Sequence, residues 1–191
     1  MSTGKEAERE FDVQLLARTA AGDEAAFAAL YDRFAPGLFS MIVKMTHDEK
    51  EAEDVLQEGF AHIWRRAAGY DAARSSPFTW AVMILRNKAI DRLRVRQRQE
   101  RTLEKATVEF AHFAEADEVS SGEAGRRDDG AQVRAALAQI PEEQKRAVEL
   151  AFFGGLTHEE IAAQLATPLG TIKARIRRGL LKLRDVLKEV A

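Results

Sequence analysis

Apolar residues along this chain recur at steps of three and four, and no alternating run of β-branched residues bounded by turns appears, so the pattern predicts helices and no strands. Over 23–45, Phe27, Leu30, Tyr31, Phe34, Leu38, Phe39, Ile42 and Val43 keep helical spacing and are expected in the core, with Pro36 marking a break or a new helix start. The cleanest helix is predicted over 48–68. Asp48 and Glu51 form a capping box there, and Ala52, Val55, Leu56, Gly59, Phe60, Ile63, Trp64 and Ala67 make one apolar stripe. The opposite face is acidic, with Glu51, Asp54, Gln57 and Glu58. After a loop from Gly69 to Ser76, Ser76-Pro77 caps and opens a third helix. It turns Phe78, Ala81, Val82, Leu85, Ala89 and Leu93 inward and ends in Arg92, Arg94, Arg96, Arg98 and Arg101.

Periodicity fades beyond residue 101. The stretch 102–130, with Glu115, Asp117, Glu118, Asp128, Asp129 and several Ser and Gly, reads as a flexible acidic linker, within which Leu103, Val108 and Phe110 suggest a short helix over 103–113. The helical pattern returns in Val133, Ala136, Leu137 and Ile140, then over 141–153 with Ala147, Val148, Ala151 and Phe152 inward, until Gly154-Gly155 stops it. Thr157 and Glu160 form a second capping box, which opens a short helix carrying Ile161, Ala162 and Leu165. After Ala166, Thr167 as cap and Pro168 as first residue start a long helix with Leu169, Ile172, Ile176, Leu180, Leu183 and Leu187 inward. Short helix, tight turn and long basic helix make a helix-turn-helix, whose second helix enters the major groove. Its outward residues Thr171, Lys173, Ala174, Arg177 and Arg178 suit that role, because the cations donate to guanine acceptors or phosphates and an alanine methyl packs on a thymine methyl. The expected architecture is all-α, with a domain over 10–101, the linker, and a helix-turn-helix domain over 131–191.

The net charge of −2 conceals segregation. Residues 1–85 carry −5, 86–101 carry +5, 102–131 carry −5 and 168–188 carry +6, so two compact basic blocks are available to a polyanion. With no cysteine there is no disulfide, zinc-thiolate or iron–sulfur chemistry. The first 25 residues lack the apolar segment of a secretory signal, and no 18 uninterrupted apolar residues occur, so a cytoplasmic protein without membrane insertion is expected. Enzymatic readings fare poorly. His158-Glu159-Glu160 lacks the second histidine of a zincin, Gly154-Gly155 belongs to no phosphate loop, and His47, His62, His112 and His158 have no metal-ligand spacing, although Glu58 and His62 lie one turn apart. No catalytic site, metal or cofactor is expected.

Three segments in this order resemble the extracytoplasmic-function (ECF) sigma factors of bacterial RNA polymerase: Glu51 to Phe60 through Trp64-Arg65, Thr79-Trp80 through Arg86 to Leu93, and Leu156-Thr157 through Pro168 to Arg175. The resemblance spans about 10–101 and 131–188. It implies that Asp54, Gln57 and Glu58 dock on the clamp helices of the polymerase β′ subunit. It also implies that the helix from Pro77 and its preceding loop melt the promoter and capture the non-template strand of the −10 element. Tyr70, Asn87 and Asp91 would meet an unpaired base there, and Arg86, Lys88 and Arg92 its phosphates; Trp80 reads as core, or as a wedge between strands, rather than as the stacking surface. Thr171, Lys173, Ala174, Arg177 and Arg178 would read the −35 duplex. The implied partners are core RNA polymerase (β′ clamp helices and β subunit), promoter DNA and an anti-sigma factor. Two departures bear on detail: relatives often have glycine where Ala166 stands, and a polar residue where Ala174 stands. The rival reading is an operator-binding regulator with a partner-binding helical N-terminal half. It accounts for the second basic block but not for the first, nor for the acidic helix.

Overall fold

The computed structural model of the chain describes residues 2–106 and 138–190, in which seven α-helices and one 3₁₀ turn are found and no strand. They fall into two compact units, one reaching from Thr3 through the fourth helix and one containing the last three. The short helix expected over 103–113 and the residues Val133, Ala136 and Leu137 lie, wholly or mostly, outside the described residues.

The first unit is built from α1 (Ser2–Ala20), α2 (Glu24–Thr46), α3 (Glu49–Arg66), the 3₁₀ turn Ala67–Gly69 and α4 (Pro77–Ala106). Periodicity does not delimit α1, whose first half is mostly polar; Leu15 and Leu16 bury its second half. The core forms where Leu30, Phe34, Leu38 and Ile42 of α2 meet Val55, Phe60 and Ile63 of α3 and Leu85 and Ala89 of α4. Helix α2 is long and apolar enough to cross a membrane by length and composition, and this same apolar face is the one spent on the core. Gly59 permits the close approach of α3 to α4, because a Cβ there would stand 2.5 Å from Leu85 Cγ.

The helix starts follow the expected chemistry with instructive exceptions. The Asp23 side chain accepts the Ala26 N–H at 3.0 Å, a bond that holds its carboxyl below the usual range. Ser76 Oγ accepts the Thr79 N–H at 3.2 Å ahead of Pro77. At Asp48 only half of the capping box forms: its carboxylate accepts the Glu51 N–H at 2.9 Å, but the Glu51 carboxylate turns to Arg96, 3.5 Å away. Pro36 does not break α2, which runs on through it. The hydrogen bond that proline omits would have ended at Asp32, an exposed position, while Phe34, Ala35 and Leu38 on either side are buried and hold the helix together. The third expected helix also does not end at 101. It continues to Ala106, five residues into the segment read as linker.

The second unit comprises α5 (Glu142–Phe152), α6 (His158–Gln164) and α7 (Leu169–Val190), closed around Ala147, Ile161, Ile172 and Ile176. Both arms of the capping box at Thr157 are present, Thr157 N–H to Glu160 at 2.7 Å and Glu160 N–H to Thr157 Oγ1 at 3.2 Å. Between α6 and α7 the Thr167 N–H donates to the Ala162 carbonyl at 3.0 Å and the Ala166 N–H to Ala163 at 3.3 Å. That pair of bonds defines a Schellman motif, with Ala166 in the left-handed position at φ 46°. Thr167 is not a side-chain cap for α7: its hydroxyl donates backwards to the Leu165 carbonyl at 2.9 Å. Leu180 also departs from expectation and is 50% exposed, while Gly179 takes the inward place against Val148.

An L-residue in the left-handed region is strained by roughly 1–2 kcal/mol, part of which glycine gives back through its freer unfolded chain. Ala166→Gly is therefore expected to stabilise the second unit by about 0.5–1 kcal/mol. Hydrogen exchange of the α6 and α7 amides in the full chain measures this directly, and slower exchange is the expected result.

Candidate nucleic-acid and polymerase interfaces

The polar residues of helix α3 divide between those that pair with α4 and those left in water. Glu51 and Glu58 are seven residues apart, hence on one line, and face α4. Glu58 pairs with Arg92 and stands 3.5 Å from Lys88. The hydrogen bond from Arg92 holds the Glu58 carboxyl below the usual carboxylate range, with Lys88 acting in the same sense. Asp54 and Gln57 are exposed, Asp54 beside Glu58 on the same face and Gln57 further round the helix. Beside Gln57 opens an aromatic groove lined by Phe27, Tyr31, Phe60 and Trp64. Tyr31 packs on Phe60 at 4.5 Å and Phe27 on Trp64 at 5.1 Å between ring centroids. Tyr31, expected in the core, is 37% exposed, and Phe27 is half-buried. Sequence reasoning missed this groove, whose trace is two i, i+4 aromatic pairs, Phe27 with Tyr31 and Phe60 with Trp64.

The cations of the first basic block do not share one function. Arg92 and Lys88 are engaged with Glu58, and Arg96 donates to the Thr46 carbonyl at 3.3 Å, satisfying an orphan group at the end of α2. Arg86 is half-buried, and burial lowers its pKa. The outward line of α4 runs instead through Trp80, Met83, Asn87, Asp91, Arg94 and Arg98, all within one stripe at helical spacing. Asn87 and Asp91 are exposed on it, as is Met83 at 46%, a residue that the sequence pattern did not single out. At the head of the stripe Trp80 of α4 is half-buried, its ring packed on Tyr70 of the preceding loop with centroids 5.5 Å apart. Tyr70 is tied down in turn. Its hydroxyl donates to the Ser75 carbonyl at 2.7 Å, and burial raises its pKa.

On α7, Thr171, Lys173, Arg177 and Arg178 are exposed and Ala174 is half-buried. Arg175, one step away, behaves differently: it pairs with Glu143 of α5 at 2.6 Å and approaches Thr167 Oγ1 at 3.5 Å, bracing the second helix of the motif. Among the described residues no group of three or more His, Asp or Glu could hold a metal ion.

Two helical units, the second a helix-turn-helix with a basic outward face, are the architecture of a DNA-binding transcription factor. Residues 30–99 match the family model Sigma-70 region 2, and residues 130–183 match Sigma-70, region 4. The chain is 39% identical over 163 residues to the ECF RNA polymerase sigma factor RpoE of Cereibacter sphaeroides, covering 85% of this chain and 87% of that one. It is 34% identical over 176 residues to the ECF RNA polymerase sigma factor SigK of Mycobacterium ulcerans, covering 91% of each. Among solved structures, Rhodobacter sphaeroides SigE in complex with the anti-sigma ChrR is 32% identical with a TM-score of 0.48, covering 90% of this chain and 98% of that one. The chain belongs to the ECF sigma factors of bacterial RNA polymerase. It is accordingly an alternative sigma factor that acts in transcription initiation, with core RNA polymerase and promoter DNA as its partners. Nothing in these matches favours an operator-binding regulator.

Proposed function

We propose that the two units divide promoter recognition between them, within domains that reach over about 10–101 and 131–191 and are joined by the acidic segment. Asp54 and Gln57, with the aromatic groove beside them, dock on the β′ clamp helices. Glu58 sits at the edge of that surface and serves chiefly to hold α3 to α4. The outward stripe of α4 and the loop held by Tyr70 capture the melted −10 strand, with Asn87 and Asp91 toward the base. Arg92, Lys88 and Arg86 act through phosphates only where they exchange their present contacts. Thr171, Lys173, Ala174, Arg177 and Arg178 read the −35 duplex, Ala174 through methyl packing. The protein works in the cytoplasm, has no catalytic centre or cofactor of its own, also touches the β subunit, and is restrained by an anti-sigma factor.

The observation that carries this reading is the contrast within α7. Lys173, Arg177 and Arg178 are exposed and pair with no other described residue, whereas Arg175 between them is committed to Glu143. Cations left in water on the outward face of a helix-turn-helix are placed for DNA. Run-off transcription with core polymerase on a promoter library tests the whole reading. In that assay Asn87→Ala is expected to weaken promoter opening more than closed-complex formation, because an unpaired base exists only after melting. Permanganate reactivity of thymines in the −10 element reports the difference; equal loss at both stages would assign Asn87 to the fold.

A further inference from the structure

The loop between the 3₁₀ turn and α4 is short of apolar anchors, yet it is held from three directions. From within, Tyr70 donates to Ser75 at 2.7 Å and the Asp71 carboxylate accepts the Ala73 N–H at 2.9 Å, a local Asx turn. From α4, Trp80 packs on the Tyr70 ring. The third hold comes from a helix outside the span matched by Sigma-70 region 2. Arg9 of α1 reaches across 63 residues of sequence and donates through Nη2 to the Ala72 carbonyl at 3.1 Å.

Helix α1 is a firm base for that reach. One turn beyond Arg9, Asp12 is 8% exposed and accepts from Arg33 of α2 at 2.6 Å, and the Arg33 guanidinium lies 5.2 Å from the centroid of the Phe11 ring. Leu15 and Leu16 are then buried, and the Thr19 hydroxyl donates to the Leu15 carbonyl at 2.8 Å. Arg9 therefore projects from a seated helix toward a loop whose tip, Asp71 to Arg74, is otherwise exposed. The acceptor is a backbone carbonyl, so the contact fixes the path of the chain and does not depend on the side chain at position 72. Arginine is well suited to such a bond, since its planar fork loses less freedom per bond formed than the lysine stem.

We infer that Arg9 is a positioning residue for −10 recognition: by pinning Ala72 it sets the path of the Tyr70–Ser76 loop, and with it the base preference at the captured position. This inference rests on the reading that the loop faces the captured base. Because one charge-assisted surface hydrogen bond is at stake, the expected effect is moderate, a three- to tenfold change in discrimination.

The test uses holoenzyme reconstituted from core polymerase and full-length wild type, Arg9→Ala, Arg9→Lys or Tyr70→Phe. Initial transcript yield is measured on templates with a premelted −10 element, in which each non-template base is varied in turn. Arg9→Ala is expected to flatten the preference at a single −10 position by about three- to tenfold, with core affinity, thermal stability and −35 preference unchanged. Arg9→Lys, which keeps a cationic donor at this position, is expected to restore part of the preference. Tyr70→Phe, which removes the bond to Ser75, is expected to flatten the same position. If Tyr70→Phe flattens it and Arg9→Ala does not, the loop reads the base without help from α1 and the inference fails alone. If neither variant alters any −10 position, the loop is not the reader, and the underlying assignment fails with it. Loss at all positions together with lower core affinity or thermal stability would make Arg9 a structural residue and overturn the inference equally.

Discussion

The double variant Asp54→Lys with Gln57→Ala is expected to lose core polymerase binding while remaining folded. Both side chains are exposed on α3, where Glu51 and Glu58 are the carboxylates that pair with the α4 cations. Surface changes of this kind usually cost about 0.5 kcal/mol or less in stability. At a desolvated interface the arithmetic is different: removing one partner of a hydrogen-bonded charge pair costs about 2–5 kcal/mol, chiefly by leaving the other charge buried and unpaired. Glu58→Lys would be a less informative variant. It would set an ammonium beside Lys88 and Arg92, so any loss of binding would be mixed with repulsion across the α3–α4 contact. Affinity for core polymerase, measured with the helical circular dichroism of the same samples, decides the matter. A folded double variant that binds core polymerase as the wild type does would remove the docking face from α3.

The helices were legible in the sequence where two independent signals coincide, as at Asp48, Ser76 and Thr157, where a cap precedes an apolar stripe. Side-chain direction was legible only as far as periodicity resolves it. Successive four-residue steps overshoot a full turn by about 40° each, so the row Ile172, Ile176, Leu180 drifts off the inward face. The buried row returns at Gly179, three residues after Ile176, and again at Val186, three after the half-buried Leu183, and a glycine carries no hydropathy to announce that place. The same limit hid the division of the acidic face of α3. Which carboxylates meet α4 depends on where Lys88, Arg92 and Arg96 arrive from about 30–45 residues further along, information that no local window holds. Tyr31 was placed in the core because it lies within an apolar stripe, yet aromatic side chains at the margin of a stripe line grooves as readily as they fill interiors. The Arg9 contact had no sequence signal at all, since a guanidinium that recognises a backbone carbonyl leaves its partner's identity free.

Replacing Arg177 and Arg178 together with alanine is expected to relax −35 recognition without disturbing the remainder of the protein. Neither side chain supports the fold: both are exposed, and the bracing of α7 against α5 falls to Arg175 and Glu143 instead. One good bidentate contact to a base is worth roughly 1–3 kcal/mol of discrimination, so losing one or both should reduce the preference for the cognate −35 element by one to several powers of ten. Every phosphate ligand removed by the same change should lower the magnitude of the slope of log affinity against log salt by about 0.9 for duplex DNA. The two measurements separate the roles. A smaller salt slope with unchanged base preference would make both arginines phosphate ligands, and lost preference with an unchanged slope would make both base readers. Core polymerase binding should persist, because the exposed Asp54 and Gln57 belong to the other compact unit. On premelted templates the −10 preference should persist as well, since Asn87 and the Tyr70 loop are untouched. If the double variant instead kept its −35 preference and lost its choice of −10 sequence, the two basic blocks would have to exchange their promoter elements.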